Sequence, residues 1–399
     1  MGKNTLFTGQ PIFNQILSLI PDHLIRRINS KYDLDRYAKS FYFHDHLITM
    51  LFGVFHKCTS LREVTTGMQA NGNRLRHLGL TNTPRRSTLA EGNIRRTEAA
   101  FEELFHLLIN YYADILPDSK AKREMKRLYI IDSSTITLFN GIMRGTGLGS
   151  FSGKRKGGAK VHMVLDSDNN LPSMVRITEG RMPDRGFLNE VFLPEGAKVV
   201  MDKGYNSYKK YREWNEKGVK WYTRLNKAAV HTINNELTVS EEEMEAGVLS
   251  DSLILLGNPH TTTPQQVRLV CFFDKEKGGN FKFITNDLDC SALDVAMVYK
   301  KRWQIETYFK CLKQNSQMLY FLGDSENAIK IQIWCTLIAN LLLNIIMQIS
   351  KRKWSFGNIG GLIRLHLNTY INLFEFLKNP EKALLKYKPP NEEHQWALF

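Results

Sequence analysis

A mixed β-sheet flanked by helices, interrupted by a β-rich insertion and preceded by an all-helical domain, is the fold class that the sequence predicts. Three observations predict it. Helical periodicity runs almost unbroken through residues 1–120, short β-branched and apolar runs replace it from Leu128, and long helical runs return after Ser291.

Composition narrows the partners before any motif is read. The chain has 399 residues and 43% hydrophobic content, enough to fill two or three cores. Fifty-four Lys and Arg against 40 Asp and Glu give a formal charge of +14, an excess that suits a polyanion. Nucleic acid is the first candidate and an acidic membrane surface the second. The five cysteines form no CxxC pair and are odd in number, which argues against a disulfide framework or a zinc knuckle and points to a reducing cytosol. The start, MGKNTLFTGQPIFNQILSLIPDH, has no long apolar run followed by a small-residue cleavage site, so secretion is not expected. Its sixth residue is Leu where a myristoylation signal needs Ser or Thr.

The first segment, 1–120, carries the apolar run HDHLITMLFGVFHKC, a Ser60-started helix and a long helical stretch from Ser87 to Leu116, after a Pro-containing break at TNTPRR. It is predicted to be a helical DNA-binding domain, with Arg95 and Arg96 on a basic face. A helix-turn-helix reader is one possibility and an ordinary helix pair is the other. His44, Asp45 and His46 resemble a metal site, but consecutive helical residues point apart, and capping is the better reading.

In residues 121–218 the runs LYIIDSSTITL, KVHMVLD, LPSMVRITEG and AKVVMDKGY read as strands, with the turn DSDNN between the second and third. Helical runs, DRGFLNEVF and SYKKYREWNEKG, flank the fourth, and Ser207 is the natural cap of the latter. Residues 219–290 are strand-like again around the acidic patch SEEEMEAG and form a β-rich insertion. Residues 291–352 hold two long helices, and 353–399 a short helix and a loose tail. Ile331 to Ser350 is about as long as a membrane span. Gln332, Asn340, Asn344 and Gln348 recur there at multiples of four, which favours a buried helix of a soluble domain over a span.

The chemistry is carried by acids in places where acids are costly. Asp132 lies inside the apolar run LYIIDSSTI, and burying a carboxylate there needs a compensating positive charge. Asp202 ends the strand AKVVMD, where open sheets place working residues. Each alone could be a backbone-satisfying acid or a helix cap. Tyr299, Arg302, Glu306 and Lys313 fall, at 100° per residue, within a sector of roughly 60° on one helix face. A solvated face with an Arg302–Glu306 pair is the structural alternative. Lys160 and His162 share a strand face and are candidates to touch phosphate, or are an ordinary surface Lys and strand His.

The pattern Y-x2-R-x3-E-x6-K at Tyr299, Arg302, Glu306 and Lys313 resembles the YREK signature of bacterial insertion-sequence transposases of family four. The flanking words IDSSTI, GAKVHM, MDKGY and FITND resemble that family's as well, over roughly residues 128–350. The resemblance implies an RNase H-like core in which Asp132, Asp202 and Glu306 form a DDE triad. Seventy residues separate the first two and 104 the second pair, which leaves room for the insertion. It further implies two Mg²⁺ or Mn²⁺ ions held by these acids, with Tyr299, Arg302 and Lys313 gripping DNA. Carboxylates are the hard oxygen ligands such ions prefer, and paired ions clamp both oxygens of an in-line phosphoryl displacement. The expected partners are transposon terminal inverted repeats and target DNA, bound by a homodimer in the active synaptic complex. The expected place is the bacterial cytoplasm, at the nucleoid. A metal-dependent nuclease on the same fold, or a catalytically inactive transposase-derived DNA-binding protein, remains as the alternative.

Overall fold

The computed structural model describes residues 9–80, 82–116, 127–138, 143, 157–258, 264–276, 278–315, 321–350 and 352–385. The readings made on the first eight residues, on Thr81 and on the tail beyond residue 385 lie outside these. Two compact units divide the chain, 1–117 with 311–399 and 118–310. These boundaries cut across the five segments drawn from the sequence, because the N-terminal helices fold with the C-terminal ones.

In the first unit the helix Glu326–Ile349 is the core element. Ser325 caps it by accepting from the Ala328 N–H, and residues Ala328 to Ile346 are buried along nearly the whole length. It is long and apolar enough to cross a membrane, yet 94% of its most apolar 18-residue window is buried inside the unit. It packs on helices Glu98–Tyr111 and Phe43–Phe55. Its amides are satisfied internally: Gln332 Oε1 accepts from the Leu322 N–H at 2.7 Å, and Asn344 Nδ2 donates to the Asn340 carbonyl at 3.1 Å. The C-terminal segment straps the first helix, Ile12–Leu17, through bonds from the Ile12 and Phe13 N–H groups to the carbonyls of Thr369 and Leu367. Asp45 accepts from the Tyr42 N–H at 3.1 Å, and buried His46 bonds Asn93, so this pair closes a cap and a core contact. Helix Arg86–Arg95 starts one residue before Ser87, without a side-chain cap.

The second unit is built on one nine-stranded sheet. Its strands are β1 (Leu128–Leu138), β2 (Gly157–Asp166), β3 (Leu171–Glu179), β4 (Lys198–Met201), β5 (Lys220–Arg224), β6 (His231–Leu237), β7 (Val248–Leu256), β8 (Gln265–Asp274) and β9 (Gly279–Thr285). The order is β3-β2-β1-β4-β5-β9-β8-β7-β6. Antiparallel β1–β3 followed by parallel β4 and β5 is an RNase H-like mixed sheet. The insertion continues that sheet, since β9 pairs with β5. β5, assigned to the insertion from sequence, is thus the fifth core strand. The acidic patch SEEEMEAG is a short helix, Glu241–Ala246, closed by a Ser240–Glu243 capping box. Tyr211, Trp214 and Trp221 fill the core on one face of the sheet, and Ser207 caps helix Tyr208–Glu216 as the sequence predicts.

Candidate active site

Register brings the first two acids together. β1 and β4 pair in parallel from Leu128↔Lys198 to Ile131↔Met201, so Asp132 and Asp202 emerge side by side, each one residue past the paired segment. β5 runs parallel to β4 from Lys198↔Lys220 to Val200↔Tyr222, which brings Arg224 alongside Asp202. The sheet edge therefore delivers two carboxylates and a guanidinium from segments far apart in sequence.

The third acid arrives on a helix that is not continuous. Helices Ala292–Lys301 and Trp303–Asn315 meet at Arg302, whose N–H bonds the Tyr299 carbonyl in a tightened i→i−3 turn. The predicted single helix is thus two. The break does not scatter the signature. Arg302 Nη1 donates to Asp132 Oδ2 at 2.9 Å, and its Nη2 donates to Glu306 Oε1. The Tyr299 hydroxyl reaches Asp202 Oδ1 at 3.3 Å, and Arg224 Nη2 donates to the same oxygen at 2.6 Å. Both guanidinium groups also lie near the Tyr299 ring, at 5.7 Å for Arg302 and 5.8 Å for Arg224. Lys313 lies exposed in the last turn of helix Trp303–Asn315, two turns beyond Glu306.

The electrostatics mark a site short of positive charge. Burial raises the Asp132 carboxyl to about 6, and the charges of Asp202 and Glu306 push the same way against Arg302 and the Ser133 N–H. Burial also opposes ionisation of Asp202, but the Arg224 guanidinium outweighs it and holds that carboxyl below its usual range. The Tyr299 phenol is pushed up to about 12, chiefly by burial, so it stays a hydrogen-bond donor. Among the described residues no three acids, histidines or cysteines are drawn into a ready-made metal cage. Instead the Arg302 guanidinium serves as the cation shared by Asp132 and Glu306. Hard oxygen donors converging on one cation are the donor set a Mg²⁺ or Mn²⁺ ion takes, so these residues fit the expected metals.

Lys160 and His162 do not reach outward. Lys160 Nζ donates to the Met182 carbonyl at 2.8 Å and to Asp184 Oδ1 at 3.2 Å. His162 is 1% exposed, stacks on Phe187 and bonds the Thr178 hydroxyl. Antiparallel pairing sets both opposite β1, where both are buried against partners within the protein. Arg96 is likewise folded inward, bonding the Phe41 carbonyl and Asp35, so only Arg95 of that pair is exposed. Sequence reasoning missed Arg224 and Asp184. The one available signal for Arg224 was a cation ending the strand that follows the Asp202 strand.

An open cleft of about 910 Å³ shares Tyr299, Arg224 and Arg302 with this site, and its walls also include Phe281, Phe283 and Trp303 and the acids Asp274 and Glu276.

An RNase H-like sheet that presents acids on adjacent strand ends, with a third acid on a following helix, is the arrangement expected of the DDE class. The chain belongs to that class by sequence as well: the Transposase DDE domain family matches residues 123–342, and this protein is a member of it. A domain of unknown function, DUF4372, matches residues 8–81. A Sinorhizobium fredii protein named as the transposase y4zB is 29% identical over 67% of this chain and 73% of its own length. A Geobacillus stearothermophilus protein named for insertion sequence element IS5377 is 24% identical, covering 59% of this chain and 62% of that one. A Synechocystis protein named for element IS4SA is 22% identical over 65% and 71% of the two chains. The cryo-EM structure of a piggyBac transposase synaptic complex with hairpin DNA superposes with a TM-score of 0.44 and 12% identity over 95% of this chain and 85% of that one, a likeness too low to carry argument. The protein is a DNA transposase, of a family that acts on DNA and generally depends on divalent metal.

Proposed function

We propose that this chain catalyses metal-dependent cleavage at transposon ends and strand transfer into target DNA, as an insertion-sequence transposase of family four. Asp132, Asp202 and Glu306 would hold two divalent ions. The observation that carries this reading is the single Arg302 guanidinium that joins Asp132 to Glu306, while Tyr299 reaches Asp202. When bound, such ions supply Lewis acidity for the attacking water or 3′-hydroxyl and for the leaving oxygen. The chain's own residues do the rest. Asp132, Asp202 and Glu306 are the ligands. With its carboxylates turned to metal, the Arg302 guanidinium would be available to a phosphate oxygen, and the Tyr299 hydroxyl could donate to the same DNA backbone. Lys313, two turns along, extends the grip on the strand next to the break. The adjoining cleft is aromatic on its walls and its four cations, Arg224, Lys275, Lys300 and Arg302, outnumber the acids Asp274 and Glu276, a lining that suits a nucleic-acid strand.

The helices of residues 1–120 are assigned to recognition of the terminal inverted repeats, with Arg95 among their exposed cations, and the active complex to a homodimer. The test is incubation of the full chain with its inverted-repeat DNA in Mg²⁺ and in chelator. End cleavage in Mg²⁺ alone supports the proposal, and cleavage unaffected by chelator overturns it. Affinity for the same DNA should fall with salt, each phosphate contact adding about 0.9 to the logarithmic slope.

A further inference from the structure

Four groups outside the triad converge behind Asp132. The Ser133 N–H donates to Asp132 Oδ1 at 2.8 Å, and the Ser133 hydroxyl donates to Asp184 Oδ1 at 2.8 Å. The same Asp184 oxygen takes the 3.2 Å contact from Lys160, whose ammonium is anchored by the Met182 carbonyl. His162 Nδ1 approaches that oxygen at 3.8 Å, and burial lowers the imidazole to about 4, so the ring meets Asp184 uncharged. Lys160 is therefore the cation that balances Asp184, and Asp184 accepts the bond from the Ser133 hydroxyl, against which the Tyr205 phenol also lies.

The other oxygen of Asp184 lies toward Asp202. A methyl group on Gly204 would lie 3.6 Å from Asp184 Oδ2 and 4.0 Å from Asp202 Oδ2, so both carboxylates border one small space that the glycine leaves open. Tyr205, next in the chain, is buried, with its phenol pushed up by burial and by the carboxylates of Asp184, Asp132 and Asp202. The chain Lys160–Asp184–Ser133–Asp132 thus connects a balanced ion pair to the first carboxylate of the triad and lies beside the second.

We infer that Asp184 is a positioning residue of the metal site, aiming Asp132 through Ser133 and depending on Lys160 for its own charge balance. This rests on the reading of Asp132, Asp202 and Glu306 as metal ligands. Partners that orient a ligating carboxylate set metal affinity as well as local packing, and losing one typically weakens binding about 10- to 100-fold. A merely structural Asp184 would lower the melting temperature and leave the affinity of the folded protein unchanged.

The experiment is a titration of the full chain with Mn²⁺ alone, followed by electron paramagnetic resonance, with thermal unfolding beside it. D184N should weaken Mn²⁺ binding by about tenfold or more. S133A, which keeps the backbone bond to Asp132 but deletes the hydroxyl link, should weaken it in the same direction. The double variant should be no worse than D184N, because the two act in one chain. If D184N fails to fold because Lys160 is left unbalanced, K160M/D184N and S133A take its place. Wild-type Mn²⁺ affinity in folded D184N, K160M/D184N or S133A overturns the inference. D132N separates the two readings: unchanged Mn²⁺ binding there means the triad assignment itself is wrong, whereas loss in D132N with none in D184N or S133A removes Asp184 alone.

Discussion

Asp132 and Asp202 leave neighbouring parallel strands at the same level, and their surroundings push them in opposite directions. Asp202 has its cation one strand away, because Arg224 ends β5 beside it. Asp132 pairs instead with Arg302, from a helix junction 170 residues along, and shares it with Glu306. The carboxyl with the local partner is held low, and the one with the shared, distant partner is raised to about 6. The difference teaches where charge is missing. The Asp202 side is balanced by the fold, while the Asp132–Glu306 side is balanced by one guanidinium for two acids, which is where an added divalent ion has most to offer.

The largest effect that could break this comparison is catalytic. D132N, D202N and E306Q should each cut end cleavage and joining by on the order of 10³ or more while a gel shift on the same DNA stays close to wild type. Full cleavage by any one of them means that carboxylate is misassigned. Next comes stability in chelator. Arg302 and Asp132 are 12% and 18% exposed and Arg224 and Asp202 are each 29% exposed, so R302A should cost about 3 kcal/mol and R224A about 1 kcal/mol in urea unfolding. Equal losses would remove the asymmetry. Mg²⁺ should restore much of the R302A loss, since it replaces the missing cation.

The pH dependence sharpens the same contrast. The folded Asp132 carboxyl titrates near about 6 against a usual 3.8, so the folded state holds that proton more tightly and ionisation costs stability as pH rises through this window. The cost approaches about 3 kcal/mol above pH 6, and D132N, which lacks it, should gain on wild type between pH 4 and 6 in metal-free buffer. Asp202 has the reverse sign. Its lowered carboxyl contributes stability at neutral pH that is lost as pH falls through its depressed folded pKa, so D202N should lose most of its disadvantage in acid. Parallel pH curves for the two variants would contradict the account. The smallest catalytic effect belongs to Lys313, whose replacement by Ala should slow cleavage at limiting DNA by about tenfold, the worth of one charged contact.

Much of this was legible in sequence because it is local or spaced by a fixed rule. The run LYIIDSSTITL is β1 from its first residue to its last, Ser207 caps the helix it precedes, a helix starts after Ser291, and Tyr299, Arg302 and Glu306 stand together although across a helix junction rather than on one helix. What failed depends on sheet order. β5 reads like the insertion strands, and only its pairing with β4 makes it core and makes Arg224 a partner of Asp202. The depth of Lys160 and His162 was not legible either, since it follows from β2 being buried along its whole length between β1 and β3. Asp184 sits in a helical run with no pattern to mark it, and its role exists only because it packs under Ser133. The halves of the first unit carry no sequence sign that Thr369 and Leu367 will bond Ile12 and Phe13.

Anomalous scattering from crystals soaked in Mn²⁺ tests the central claim most directly, because it locates the cation without relying on activity. The account predicts manganese peaks at about 2.1 Å from carboxylate oxygens of Asp132, Asp202 and Glu306, with Arg302 no longer paired to Asp132. Manganese bound elsewhere, or a soaked site in which Arg302 still joins Asp132 to Glu306 and no peak lies on the three acids, would contradict it.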